Sequence, residues 1–180
     1  LEALSVAHFA RGDDEALRSF ERDHPRAEDY ARFRAAVETH GPPSRFPEHA
    51  LRDADPRRTR YHLYAQLRAS EQLGAAFGAA KELGVGLYLD MPLGVHPDGY
   101  DAYREPRAFL PRLSAGAPPD ALFTGGQKWG FAPPAPSELR RTGYAYLREC
   151  LAHQMRSAGV LRIDHVMGLH RLFCIPEAME

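Results

Sequence analysis

The stretch V-L-R-I-D-H, Val160 to His165, is a short apolar run that ends on a carboxylate. It starts directly after Gly159, at the end of a segment whose apolar residues fall at helical spacing. That segment, about Glu138 to Ala158, carries Leu139, Leu147, Cys150, Leu151 and Met155 on one stripe. Ser137 reads as its N-cap and Gly159 as its stop. The same order of signals occurs upstream. A long helix over about Arg57 to Leu83 places Tyr61, Tyr64, Leu67, Phe77 and Ala80 near one face, and Gly84 ends it. The run V-G-L-Y-L-D, Val85 to Asp90, follows at once and fits a buried parallel strand. Helix and strand therefore alternate twice, and each strand closes on an aspartate. This order predicts an α/β fold with a parallel sheet.

The flanking sequence sets the organisation. Residues 91–136 are rich in proline and glycine and read mostly as loop, long enough to be functional or to hold short helices of its own. Before residue 57 the chain reads as helix and loop. Asp13 or Asp14 caps a helix to about His24, with Ala16, Leu17 and Phe20 on one face. Pro25 breaks it. A second helix over Ala27 to His40 spaces Tyr30, Phe33 and Val37, and Gly41-Pro42-Pro43 ends it. The expected domains are a helical N-terminal insertion subdomain, residues 1–56, and part of a (β/α)8 TIM barrel, residues 57–180. In such a barrel the C-terminal ends of the strands converge on the active site, which is where Asp90 and Asp164 fall. A complete barrel takes about 250 residues, so a partial one is expected. The start without Met and the stop soon after Pro176 read as cut ends.

Composition excludes several classes. The 180 residues are 44% hydrophobic and 26% charged with a formal net charge of −1, an ordinary globular balance that favours no polyanionic partner. Arg18, Arg22, Arg26, Arg32 and Arg34 are interspersed with Glu15, Glu21, Asp23, Glu28 and Asp29, which is a solvated helix surface rather than a nucleic-acid groove. No run approaches the roughly 18 apolar residues of a membrane span. The start L-E-A-L-S-V-A-H-F-A lacks the basic residues and long apolar core of a signal peptide. Cys150 and Cys174 are too few for a disulfide framework and read as buried thiols in a reducing, cytoplasmic setting. His96 and Asp98 could begin a metal site, but no second ligand cluster stands at metal spacing. No metal and no cofactor are expected.

Strand alternation puts Arg162 and Asp164 on one side, and an arginine beside a carboxylate keeps it ionised and nucleophilic. Alone, the pair is equally a structural ion pair, and Asp90 is equally a cap for the following turn. Read together, the segments are more specific. G-V-G-L-Y-L-D-M-P-L-G-V-H-P-D-G-Y-D, Gly84 to Asp101, resembles the amylomaltase segment in which a strand ends in Asp-Leu-Pro and enters an aspartate-rich loop. G-A-P-P-D, Gly116 to Asp120, is similar to that family's Gly-Val-Pro-Pro-Asp. G-Q-K-W-G, Gly126 to Gly130, is similar to its Gly-Gln-x-Trp-Gly. L-R-I-D-H resembles its Arg-Ile-Asp-His strand, and A-E-D-Y-A-R-F, Ala27 to Phe33, its Leu-Glu-Asp-Tyr-Ala-Leu-Phe. The matches keep their order over roughly residues 20 to 175.

The resemblance implies a piece of a 4-α-glucanotransferase of the amylomaltase type, acting on maltodextrins and other α-1,4-glucans by retaining double displacement. It makes Asp164 the nucleophile and Arg162 its orienting partner. Asp90 then binds the sugar next to the cleaved bond, and His165 bonds a substrate hydroxyl or a backbone group. Asp120, Gln127 and Trp129 lie on the loop that contacts the glucan, Trp129 by packing the C–H face of a sugar ring. A Trp under a long loop is otherwise a core residue. The family's general acid lies further along the chain than Asp164, so the 180 residues alone are expected to be inactive, and a partial barrel exposes edges that favour self-association. The alternatives are an α-amylase-type glucan hydrolase and an inactive glucan-binding fragment. The sequence also departs from the family. Ala121-Leu122 replace Tyr-Phe, Phe131-Ala132-Pro133 replace Asn-Pro, and Val166-Met167-Gly168 replace Phe-Arg-Gly, which marks a divergent branch.

Overall fold

A computed structural model describes residues 1–10, 12 and 15–177. It divides into two compact units, Leu1–Ala79 and Ala80–Glu180. The first is helical, with α1 (Glu2–Ala10), α2 (Glu15–Asp23), α3 (Ala27–His40) and most of α4 (Pro56–Glu82). The expected cap at Asp13 or Asp14 lies outside the described residues. α3 has the expected bounds: Gly41 takes φ +83° and its N–H closes the helix on the Val37 carbonyl at 2.8 Å. Asp55 opens α4. Its carboxylate accepts the N–H groups of Arg57 at 2.7 Å and Arg58 at 3.0 Å. Pro56 takes the first helical position, where a missing N–H removes no bond.

The core of this unit is Leu17 and Phe20 of α2, Ala31 of α3, and Leu63 and Leu67 of α4, with Phe9 and Ala27 packed against them. Ala31 and Ala35 are fully buried, so α3 presents small residues and neighbours approach its backbone closely. His62, also buried, meets Glu38 of α3 at 2.8 Å. Burial pushes the His62 imidazole below its ordinary pKa, against the opposing pull of the Glu38 hydrogen bond.

In the second unit α4 stops as the sequence predicts, by a Schellman motif on Gly84 at φ +69°. The Gly84 N–H bonds Lys81 O at 3.0 Å and the Val85 N–H bonds Ala80 O at 2.9 Å. Strand β1 (Tyr88–Met91) follows. Further along are α5 (Tyr100–Arg104), β2 (Leu113–Ala117), β3 (Gln127–Lys128), α6 (Pro136–Arg141), α7 (Ala145–Met155), β4 (Val160–Ile163) and β5 (Phe173–Pro176). β1 and β4 pair in parallel, as expected, with Asp90 opposite Arg162. α7 packs against both strands. A separate antiparallel sheet runs in the order β3-β2-β5. Ala108, Phe109 and Ala132 form a small core, joined by Val95, Ala102 and Tyr146.

Three expectations change. The helix over 138–158 is two helices, and Pro136 rather than Ser137 begins the first. The break falls where the Thr142 hydroxyl donates to the Glu138 carbonyl at 2.9 Å, after which Gly143 and Tyr144 both take φ +60°. Glycine adopts this conformation without strain, and Tyr144 follows it. Second, the parallel strands are not buried on both faces. Tyr88 is 63% and Val160 57% exposed, because a two-stranded sheet covers neither of its outer edges. Third, the long loop 91–136 holds two strands, β2 and β3, besides the expected kind of short helix, α5.

Core packing in the first unit makes a direct prediction. Leu67→Ala removes a side chain that is 3% exposed and should destabilise the unit by about 3 kcal/mol. Leu73→Ala, on the same helix at 57% exposure, should change stability by less than about 0.5 kcal/mol. Urea unfolding followed by far-ultraviolet circular dichroism measures both.

Candidate active site

The parallel register puts Asp90 and Arg162 side by side on adjacent strands. Alternation along β4 then returns Asp164, two residues on, to the face of Arg162. One guanidinium joins the two carboxylates. Its Nη1 donates to Asp90 Oδ2, and its Nη2 donates to Asp164 Oδ1 at 2.5 Å. The planar fork of arginine suits two acceptors at once, where a lysine ammonium is a point donor. The hydrogen bond to Asp90, then the charges of Asp164 and Asp90, push the Arg162 pKa above its ordinary value. The three side chains are about half exposed, so water screens the attraction and the clamp contributes orientation more than stability.

β4 ends at Ile163 and the chain turns sharply at the carboxylate. His165 takes φ +45° and ψ +58°, a left-handed conformation that costs a non-glycine residue on the order of 1 kcal/mol. The strain is held by a turn in which the Gly168 N–H bonds the His165 carbonyl at 2.8 Å. The imidazole also packs edge-to-face on Trp129, with centroids 5.0 Å apart.

Trp129 directly follows β3 of the other sheet. Its backbone N–H bonds Ala115 O at 2.9 Å, and the Ala115 N–H bonds Phe131 O at 2.9 Å, so β2 carries the whole 129–131 segment. The buried Ser114 hydroxyl accepts the Gly130 N–H at 2.9 Å. Gln127 sits in β3 opposite Ala117 and accepts the indole N–H of Trp129 at 3.1 Å. Gly116 permits this close pairing: a Cβ there would stand 2.1 Å from the Gln127 carbonyl oxygen.

Asp164, His165 and Trp129 meet at an open cleft of about 550 Å³, whose lining also includes Pro92, Leu93, Gly94 and Phe131. Asp90 and Arg162 attach to it through the clamp. Trp129 therefore lines the cleft and is not a core residue. Gln127 acts behind Trp129, as the acceptor that fixes its ring. Asp120 stands apart from the cleft lining: its carboxylate accepts the N–H groups of Leu122 at 2.8 Å and Phe123 at 2.6 Å, which shapes the loop tip. Phe131 and the Leu93-Gly94 segment are site residues that sequence reasoning missed, although the change from Asn-Pro to Phe-Ala-Pro marked the place. Among the described residues no cluster of three or more His, Cys, Asp or Glu side chains could hold a metal. No helix of the described residues is long and apolar enough to cross a membrane. Cys150 and Cys174 are free and half-buried rather than fully buried, and burial pushes both thiols above their ordinary pKa.

Fold and cleft together describe an α/β protein with an open cleft lined by a carboxylate and aromatic rings. The profile described as 4-alpha-glucanotransferase matches residues 2–180, and the chain belongs to that family. It is 32% identical over 181 residues to a 4-alpha-glucanotransferase of Thermus thermophilus, a match covering 90% of this chain and 36% of the relative. It is 37% identical over 119 residues to a Mycobacterium bovis 4-alpha-glucanotransferase, covering 65% of this chain and 16% of that protein. The crystal structure of amylomaltase from Corynebacterium glutamicum superposes with a TM-score of 0.75 at 34% identity, over 94% of this chain and 24% of that one. The fold of an amylomaltase from Streptococcus agalactiae in complex with acarbose matches with a TM-score of 0.84 at 23% identity, over 91% of this chain and 37% of the other. The chain thus spans a minority of the length of these relatives.

The β2–β3 pairing makes a prediction about the cleft wall. Gly116→Ala should force β3 away from β2 and displace Gln127 and Trp129. Trp129 is the one tryptophan of the chain, so its emission reports the site alone. A shift of its emission maximum to longer wavelength, with little loss of helical circular dichroism, is the expected result.

Proposed function

We propose that this segment supplies the nucleophile half of a 4-α-glucanotransferase active site, with Asp164 as nucleophile and maltodextrins or other α-1,4-glucans as substrate. The observation that carries the proposal is the Arg162 clamp, which joins the carboxylates of two neighbouring strand ends beside an aromatic cleft. Membership of the 4-alpha-glucanotransferase family supports the reaction class. The strand ends Asp90 and Asp164 then belong to a (β/α)8 barrel, whose catalytic groups gather at the C-terminal face. The loops Gly116–Asp120 and Gly126–Gly130 favour transfer over an α-amylase-type hydrolase.

The Asp164 carboxylate attacks the anomeric carbon, the glycosidic C–O bond breaks, and a second carboxylic acid protonates the leaving oxygen. The 4-hydroxyl of an acceptor sugar then attacks the glycosyl ester, releases Asp164, and returns its proton to that second group. Arg162 holds Asp164 in line, and Asp90 holds the hydroxyls of the sugar under attack. His165 and Trp129 pack or bond the same unit, while Gln127 and Asp120 shape the loop that bears the glucan. Retaining enzymes keep the two carboxyl groups about 5–5.5 Å apart, so the acid must approach the cleft closely. Glu177 is not among the residues that line the cleft; its backbone N–H bonds Arg112 O at 3.1 Å, past the end of β5.

In a polypeptide of the relatives' length that carries this segment, Asp164→Asn should lower transfer from maltotriose by at least about a thousandfold. Glucan affinity should stay within about tenfold, because the amide keeps the shape of the carboxylate. Glucose and maltopentaose formation measure the first, and calorimetric titration measures the second. Retention of more than a few per cent of transfer would remove Asp164 from the role.

A further inference from the structure

Phe131 lies at the cleft without a role in the chemistry above. Its ring stacks on Trp129, with centroids 5.8 Å apart and planes 22° from parallel. That gap is too small for a sugar to enter between the rings, since each face-to-face contact alone takes about 3.5–4 Å. The two rings act as one wall. Trp129 is otherwise engaged, its N–H by Gln127 and its ring by His165. Phe131 therefore extends the apolar surface that faces Asp164.

Gly94 makes room for this ring. A Cβ at Gly94 would stand 2.2 Å from Cδ2 of Phe131 and 2.9 Å from two further ring carbons. No side chain is tolerated there while Phe131 keeps its place. The Phe131 carbonyl is fixed by the Ala115 N–H, so the backbone cannot retreat to compensate. Two segments apart in sequence, the turn after β1 and the segment after β3 that bonds to β2, are thus fitted to each other at the cleft.

We propose that Phe131 is a substrate-contacting, specificity-determining residue, and that Gly94 is the space its ring requires. Resting on the glucan reading above, the wall of Trp129 and Phe131 takes the C–H face of a glucosyl unit adjacent to Asp164. An equatorially substituted glucose ring offers such a face, and a flat aromatic surface accepts it without hydrogen bonds. The chemistry selected is an apolar sugar face, where an asparagine at this place would instead offer an amide to a hydroxyl.

The test is a ligand-observed saturation-transfer titration of the 180-residue chain with maltoheptaose, irradiating aromatic protons. Sugar ring protons should receive saturation from the wild type. Phe131→Tyr should bind within about twofold, and Phe131→Ala should raise Kd by about five- to tenfold. Gly94→Ala should weaken binding by a similar factor in the wild type but add nothing in the Phe131→Ala background, because the two act through one ring. If Phe131→Ala unfolds, Phe131→Leu carries the same test, with a loss of at least about threefold expected. Unchanged affinity in the folded Phe131 variant, with wild-type binding intact, overturns the role of Phe131 and leaves the glucan reading standing. Additive losses in the Gly94→Ala and Phe131→Ala pair overturn the role of Gly94. No wild-type binding of maltoheptaose at about 10 mM overturns both the inference and the glucan reading.

Discussion

One guanidinium between two carboxylates sets the geometry at the ends of the parallel strands. Arg162 donates to Asp90 on one side and Asp164 on the other, and two anions this close would otherwise repel. The clamp depends on register. Asp90 pairs with Arg162 across the parallel ladder, and a slip of one residue would send Asp90 to the opposite face of the sheet. Sequence therefore acts on chemistry through strand pairing. Tyr88–Met91 and Val160–Ile163 form the ladder, and the ladder aligns the three charges beside the cleft.

The second sheet does a different task. β2 is made of small residues, L-S-A-G-A, which lets neighbouring backbone approach and leaves its N–H and C=O groups to hold the 127–131 segment. Trp129 is then held by Gln127, Phe131 and His165. Since His165 directly follows Asp164, the aromatic wall and the carboxylate share one strained turn. Any displacement of the wall is felt one residue from the proposed nucleophile. Local strain held by surrounding contacts is a recurring property of functional sites.

Much of this was legible in the sequence where punctuation is strong. Pro25 and Gly41 bracket α3 at its observed ends, and Gly84 and Gly159 mark the steps from helix to strand. Both strands that end in aspartate were readable because apolar runs directly follow helical stripes. The antiparallel sheet was not. β2 has no alternation to detect, β3 is two residues long, and β5 pairs with β2 from about sixty residues away, so backbone bonding rather than side-chain pattern defines it. The break at Thr142–Tyr144 falls in the gap between Leu139 and Leu147 of the apolar stripe, where Gly143 was its sequence signal. At the site, Asp90, Arg162, Asp164, His165 and Trp129 assemble together, Gln127 supports them, and Asp120 caps a loop tip. Phe131 and Gly94 were invisible as a pair because their relation is one of volume, which only coordinates reveal.

As the proposed nucleophile, Asp164 forms the glycosyl ester. A fluorinated α-maltosyl fluoride that glycosylates quickly and deglycosylates slowly would capture that ester in a polypeptide of the relatives' length carrying this segment. Proteolysis and mass spectrometry then locate the sugar. A single label on the peptide containing Val160–His165, lost in Asp164→Asn, is the predicted result. A label on Asp90, or on a carboxylate outside that peptide, would assign the nucleophile elsewhere.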